Sequence, residues 1–281
     1  MKRTALLVCL LACASLAQAQ PAPPNGAGPQ GGAGGRGAGA PAAGRAPRYV
    51  DPQAYDFNDH AGWQSMFDGK TLKGWNGPMD VWRVENGAIV SSSTAANPNG
   101  SVYLYYGTTP LKDFEFKTEI KLEGEGANSG VQFRAQMLGK TEKKNSEWES
   151  IGYQADWDYV NTQTGALIEC CAGPQRGRPP RPFKASMGQI IRVTDDDLKP
   201  VVIGSTGDPA ALKSSVHVGD WNELHLVVRG RFMLYFLNGK LMSEVIEDSS
   251  KLMDHGRLAI QLEGRGDTKV SYRNLWLKTL P

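Results

Sequence analysis

Three features of the sequence predict an all-β protein built as a two-sheet antiparallel sandwich or jelly roll, with at most one or two short helices. Polar and apolar residues alternate with a period of two in segment after segment, and glycine-rich turns separate those segments. The strand-helix-strand rhythm of a parallel sheet is missing.

Met1 to Ala19 reads as a secretory leader: Lys2 and Arg3 form a basic start, an apolar run follows, and Ala17-Gln18-Ala19 supplies the small residues of a cleavage site. The expectation is export to the periplasm or beyond. A second reading of the leader places a lipid anchor on Cys13. Its apolar core is shorter than the ~20 residues that span a bilayer, and no later stretch reaches that length, so no transmembrane segment is expected. Gln20 to about Tyr49 is Gly, Ala and Pro at nearly every position. Such a stretch cannot bury enough surface to offset its ordering entropy, and it reads as a disordered linker.

The leader carries only the two charges Lys2 and Arg3, so its removal takes the formal charge from +2 to neutral. Nucleic acid is therefore not expected as a partner, since it is held by clustered positive charge. Four cysteines are present; Cys9 and Cys13 leave with the leader, and Cys170 and Cys171 are adjacent. No disulfide framework can staple the fold, and the pair is either a vicinal bridge or two reduced thiols.

From about Val50 to Pro281 the chain is long enough for one large β domain. Phe114, Phe116, Thr118, Ile120 and Leu122 alternate with Glu115, Lys117, Glu119 and Lys121, as a half-buried strand requires. Leu224, Leu226 and Val228 repeat the pattern, as do Leu258, Ile260 and Leu262, and Val270 with Tyr272. Phe232 to Val245 reads as a hairpin turning on Asn238-Gly239, which readily take positive φ. Asp208-Pro209 caps one short helix. Asp195-Asp196-Asp197 lacks the spaced Asp, Asn and Gly of a calcium loop, and no metal or other cofactor is expected.

The richest stretch is Gly126 to Asp158. In Val131 to Gln136, the residues Gln132, Arg134 and Gln136 alternate with Val131, Phe133 and Ala135; in Gly152 to Asp158, Gln154, Asp156 and Asp158 alternate with Tyr153, Ala155 and Trp157. If the two strands pair, a guanidinium, two carboxylates and several amides share one face. That composition suits a polyol ligand, and it also suits an ordinary solvated sheet face.

The ordered landmarks are Phe67-Asp68-Gly69-Lys70-Thr71-Leu72-Lys73-Gly74-Trp75, Asn128-Ser129-Gly130-Val131-Gln132-Phe133-Arg134, Gly152-Tyr153-Gln154-Ala155-Asp156, Gly219-Asp220-Trp221-Asn222, Leu237-Asn238-Gly239 and Tyr272-Arg273-Asn274-Leu275. From about Trp63 to Leu280 this set resembles the 3-keto-disaccharide hydrolase domain family. The resemblance implies a concanavalin-A-like jelly roll, a carbohydrate ligand or substrate, and cleavage of 3-keto-glycosides. Two positions depart from the family pattern. Leu262-Glu263-Gly264 carries a carboxylate where a histidine is common, and Gln154 stands where many members have Glu. The loop Cys170 to Lys184 is also longer and more basic than usual.

A ketone at C3 acidifies the C2 proton, so the implied chemistry needs a base, an electropositive group for the enolate oxygen and an acid for the leaving group. Asp156 is the expected base and Arg134 the expected clamp. Glu263 and His225 are the expected acids, Gln136, Gln154 and Asp158 the hydroxyl-binding groups, and Trp157 or Trp75 an aromatic platform. Each has a plainer reading: Arg134 and Asp156 as a cross-strand ion pair, His225 as a strand-face histidine, Glu263 as a turn residue, and Trp75 and Trp221 as plugs at the sandwich ends. A noncatalytic carbohydrate-binding module of the same fold is the alternative function, with an adhesion domain as a third.

Overall fold

The computed structural model describes residues 56–140, 146–170, 184–195, 200–264 and 266–281. The leader, the linker, most of the arginine-rich loop after Cys170, and Asp196 and Asp197 lie outside the described residues.

In chain order the first strands are β1 (Gln64–Ser65), β2 (Trp75–Asn76), β3 (Trp82–Glu85), β4 (Ala88–Ser93), β5 (Gly100–Leu111) and β6 (Phe114–Glu123). Next come β7 (Asn128–Met137), β8 (Ser150–Asp158), β9 (Leu167–Cys170), β10 (Lys184–Ala185), β11 (Gln189–Val193) and β12 (Val201–Ser205). Helix α1 (Pro209–Ser214) precedes β13 (Asn222–Arg229), β14 (Phe232–Leu237), β15 (Lys240–Glu247), β16 (Gly256–Gly264) and β17 (Thr268–Thr279).

These strands form two sheets. The ten-stranded sheet runs β12-β11-β15-β14-β13-β6-β17-β4-β3, with β1 also paired to β17; the seven-stranded sheet runs β10-β9-β8-β7-β16-β5-β2. Pairing among the described strands is antiparallel except for β11 against β15. The all-β sandwich expected from the alternation is the fold observed.

The alternation also decides what lies between the sheets. Phe114, Phe116, Ile120 and Leu122 of β6 meet Val131 and Phe133 of β7, Tyr153, Ala155 and Trp157 of β8, and Leu258, Ile260 and Leu262 of β16 in one core. Each large apolar side chain so buried stabilises the fold by ~1.5–3 kcal/mol. The β14–β15 turn has the left-handed backbone its residues favour, with φ +47° at Asn238 and +72° at Gly239. The Asp208 carboxylate accepts the Ala211 N–H at 2.8 Å and caps α1.

One outward residue of β6 behaves unlike its neighbours. Lys117 is only 3% exposed, because the segment Asp56 to Ser65 crosses the outer face of the ten-stranded sheet above it. Its ammonium donates to the carbonyls of Asp56 (3.1 Å), Phe57 (3.3 Å) and Asp59 (2.9 Å), and lies 4.3 Å from the Trp63 ring centroid. A buried ammonium needs such partners, and here backbone carbonyls and an aromatic face supply them. No helix among the described residues is long and apolar enough to cross a membrane.

Candidate functional site

Strands β7 and β8 are neighbours, and their register places Asn128 opposite Asp158, Gly130 opposite Asp156 and Gln132 opposite Gln154. On β16, Gln261 pairs with Tyr103 of β5, Glu263 with Ser101 and Ala259 with Tyr105. Since partners in register point the same way, the seven-stranded sheet carries three polar rows on the face turned from the core. The middle row runs Tyr103, Gln261, Gly130, Asp156.

Gly130 is what allows that row to close. A Cβ there would lie 2.7 Å from the Gln154 amide nitrogen and 2.7 Å from the Ala155 carbonyl. With no side chain at Gly130, Gln154 leans across it and donates from Nε2 to Gln261 Oε1 (2.9 Å) and Asp156 Oδ1 (3.3 Å). Gln261 in turn donates to the Tyr103 hydroxyl (3.1 Å) and Ser101 Oγ (2.8 Å), and Tyr103 donates to Gln154 Oε1 (3.4 Å). Beneath the row, Ser129 holds β16 by donating to the Gln261 carbonyl at 2.5 Å.

Asp156 is 6% exposed, and its carboxylate accepts only from the Gln154 amide and, at 3.0 Å, its neighbour's N–H on Trp157. No cation pairs with it among the described residues. Burial, aided by the nearby charges of Glu263 and Asp158, pushes its pKa up to about 7, against the two hydrogen bonds that favour the anion. Burial likewise drives the Tyr103 phenol far above its usual range, with Tyr105 and the Glu263 and Asp156 charges adding to it, so it stays protonated. Burial pushes Tyr105 up to about 12.

Two further groups on this face are buried and unbonded: Asn128 Oδ1, an acceptor, and Gln132 Nε2, a donor, on either side of Gly130. Leaving a buried polar atom unpaired costs ~1–3 kcal/mol. A face that tolerates both beside a near-neutral carboxyl has the makings of a hydroxyl-binding site.

Several expected site residues lie elsewhere. Arg134 does not share the face with Asp156. The β7 register slips between Phe133 and Gln136, Arg134 takes φ +49°, and its fully buried guanidinium donates to the Lys112 carbonyl (3.2 and 3.0 Å) and to Asp113 (3.2 Å) in the β5–β6 turn. The extra residue of the bulge reverses the parity beyond it, so Ala135, not Arg134, joins Tyr103, Tyr105 and Ala259 on the outer face. Gln136 is displaced by the same slip and donates to the His255 carbonyl at 2.6 Å.

His225 lies on the other sheet, at 2.9 Å from Glu115 and stacked on Phe236, so it is not an acid for this site. Trp157 and Trp75 are both core residues, and the Trp75 indole donates to the Met66 carbonyl at 2.8 Å. Asp158 shares the face, yet its carboxylate is spent on the β8–β9 loop, accepting from Thr162, Gln163 and Thr164. Burial raises its pKa, and those hydrogen bonds outweigh burial and hold it below the usual value. Gln154, Asp156 and Glu263 remain together.

Alternation signalled the residues that were overlooked. Tyr103 and Tyr105 interleave with Val102 and Leu104, and Gln261 falls between Ile260 and Leu262, so their common face could have been read from the strands already recognised. Cys170 also borders the row, with Sγ 3.7 Å from the Tyr103 hydroxyl, and it is disulfide-bonded; Cys171 lies outside the described residues. No cluster of three or more His, Cys, Asp or Glu suited to a metal ion occurs among the described residues.

Comparison with known proteins gives a family and a set of distant structural likenesses. A proposed glycosyl hydrolase from Parabacteroides distasonis is 17% identical, covering 79% of this chain and 95% of its own, with a TM-score of 0.48. A carbohydrate-binding module from Bacillus subtilis is 13% identical over 73% of this chain and 96% of its own, with a TM-score of 0.45. A legume lectin-like domain from Entamoeba histolytica is 11% identical over 82% and 100%, also at 0.45. No curated protein matches the chain. The model of the 3-keto-alpha-glucoside-1,2-lyase-like domain matches residues 62–278, which contain both sheets and the whole row around Asp156, and the chain belongs to that family.

Proposed function

We propose that this protein is an exported carbohydrate-active enzyme that cleaves 3-keto-glycosides by eliminating the C1 substituent and then adding water. The observation that carries the reading is Asp156, a buried carboxyl poised near neutral pH among amides and a protonated tyrosine. A general base works best with a pKa near the working pH, and burial without a cation achieves that here.

Asp156 takes the C2 proton, and the electron pair moves into the C2–C3 bond as the C3 oxygen gains charge. The Tyr103 hydroxyl and the Gln132 Nε2 are donors for that oxygen, the part first expected of Arg134. Collapse of the enolate forms the C1–C2 double bond and expels the C1 oxygen, which takes up the proton that Asp156 removed from C2. Water then adds across the double bond to complete net hydrolysis. The order differs from that of glycosidases, in which two carboxyls flank an oxocarbenium-like centre.

Replacing Asp156 by Asn should lower turnover of a 3-keto-disaccharide by ~10²–10⁴-fold without lowering the thermal midpoint. Full activity in that variant would remove the assignment. Glycan binding by calorimetry with no turnover in the unaltered protein would support the binding-module reading, which the same row of tyrosine and amides allows. Export is tested by the mass of the secreted chain: cleavage after Ala19 is expected, and a lipid on Cys13 would point to anchoring.

A further inference from the structure

With Trp157 and Trp75 in the core, the row around Asp156 lacks the aromatic platform first expected of them. The sequence holds seven tryptophans. Trp75, Trp82 and Trp157 are core residues. Trp63, Trp221 and Trp276 lie on the outer side of the other sheet: Trp63 is against Lys117, Trp276 is the register partner of Lys117, and Trp221 is 4.1 Å from the Arg273 guanidinium instead of plugging a sandwich end as expected. The seventh, Trp148, is on the outer face of the seven-stranded sheet, beside the row.

Trp148 ends a single 3-10 turn, Ser146–Trp148, that leads into β8. Its carbonyl accepts the Tyr105 hydroxyl at 2.7 Å, and two residues on, Ser150 donates to Gln132 Oε1 at 2.5 Å. These bonds tie the turn down onto the sheet. The indole packs against the cluster of Tyr103, Tyr105, Ala135 and Ala259 and stacks on the Tyr105 ring, with 28° between planes and 6.3 Å between centroids. The Arg257 guanidinium carbon lies 4.7 Å from the same Tyr105 ring and helps to fix it.

The bulge in β7 is what makes room for the indole. By turning Arg134 away it leaves Ala135 beside Ala259, a floor of two methyl groups; an outward arginine there would fill the space that Trp148 takes. Trp148 is half-buried, and its indole N–H makes no hydrogen bond among the described residues and reaches solvent.

The carbon order of the substrate says which part meets the indole. Asp156, Gln132 and Ala135 fall in successive rows along the sheet, and Asn128 and Glu263 lie in the row on the far side of Asp156. With C2 at Asp156 and the C3 oxygen at Gln132 Nε2, the ring continues through C4 and C5 toward Trp148. The leaving group on C1 points the other way, toward Asn128 and Glu263. A pyranose carries C–H groups on its faces, an apolar surface that an aromatic ring can cover.

We infer that Trp148 is a substrate-binding residue whose indole stacks on the C4–C5 side of the 3-keto ring, and that it recognises this ring whatever the leaving group. This role rests on the reaction assigned to Asp156. It is tested by kinetics of the full chain on two 3-keto-glucosides, one with a sugar and one with a nitrophenyl leaving group. Trp148→Ala should raise KM about tenfold for both and keep kcat within about twofold, and Trp148→Phe should recover most of the KM. An unchanged KM, or a rise confined to one leaving group, would overturn the assignment. Where Trp148→Ala fails to fold, fluorescence takes its place: the ketoside should quench tryptophan emission in the unaltered chain and not in Trp148→Phe, and quenching retained in that variant would overturn it. Absence of turnover in the unaltered chain counts against the reaction alone. Calorimetric binding of the same ketosides then decides on Trp148, with about tenfold weakening in Trp148→Ala expected, and equal affinity or no binding overturning it.

Discussion

On the outer face of the ten-stranded sheet, Glu115 bonds His225, Glu119 bonds Arg273 and Asn274, and Glu85 bonds Lys269. On the outer face of the seven-stranded sheet, Asp156 has an amide and a backbone N–H and no cation among the described residues. The first arrangement holds carboxylates in their ordinary ionised form: the His225 hydrogen bond keeps Glu115 below its usual value, and the Lys269 and Arg83 hydrogen bonds do the same for Glu85. The second leaves burial uncompensated, and the Asp156 proton is held to about pH 7. Carboxyls can therefore be held ionised on one sheet and near neutrality on the other, and the difference lies in whether a cation accompanies them.

The sharpest way to break this comparison is at Arg134, a fully buried cation on β7 of the seven-stranded sheet. Arg134→Ala should destabilise the fold by about 3–5 kcal/mol, because the Lys112 carbonyl loses this donor, Asp113 keeps only the Gly230 N–H, and a cavity opens. Turnover per folded molecule should stay within about twofold of the original, since the guanidinium turns from the row. A specific loss of turnover at full folding, read by kinetics beside circular dichroism, would return Arg134 to the site.

A smaller effect is expected at Gly130. Gly130→Ala should push Gln154 out of the row and lower kcat/KM by about 10²-fold, since small misplacements of positioning groups are costly in rate. A crystal structure of that variant with Gln154 unmoved would contradict the role given to the glycine.

Below that comes the pH dependence of stability. Asp156 has its pKa raised on folding, so between the ordinary aspartate value of 3.8 and about 7 the unfolded chain loses this proton first and stability falls as pH rises. The unaltered protein should lose roughly 1–3 kcal/mol relative to Asp156→Asn between pH 4 and pH 8, as measured by denaturant unfolding. Parallel curves for the two proteins would show that the carboxyl is not desolvated. The smallest effect is at His225, where His225→Gln should leave kcat/KM unchanged because the residue lies on the other sheet; a tenfold loss would place it in the site after all.

Much of the molecule was legible without coordinates. Period-two alternation gave β6, β13, β16 and the β14–β15 hairpin, because an antiparallel strand with one face on a core must alternate. The same rule kept Gln154 and Asp156 together, since β8 is regular from Ser150 to Asp158. It failed at Arg134 because a bulge adds one residue and reverses everything beyond it, and nothing in Val131 to Gln136 announces the bulge.

The sequence by itself determined the strands, their inward residues, the Asn238-Gly239 turn and the family, since these depend on local conformation and on the order of residues along the chain. Only the tertiary structure decided that Tyr103 and Gln261 join Asp156, that His225 is on the other sheet, and that Trp221 meets Arg273. Those pairings join residues far apart in the chain, and strand register and the space left by Gly130, not local preference, bring them within hydrogen-bond reach.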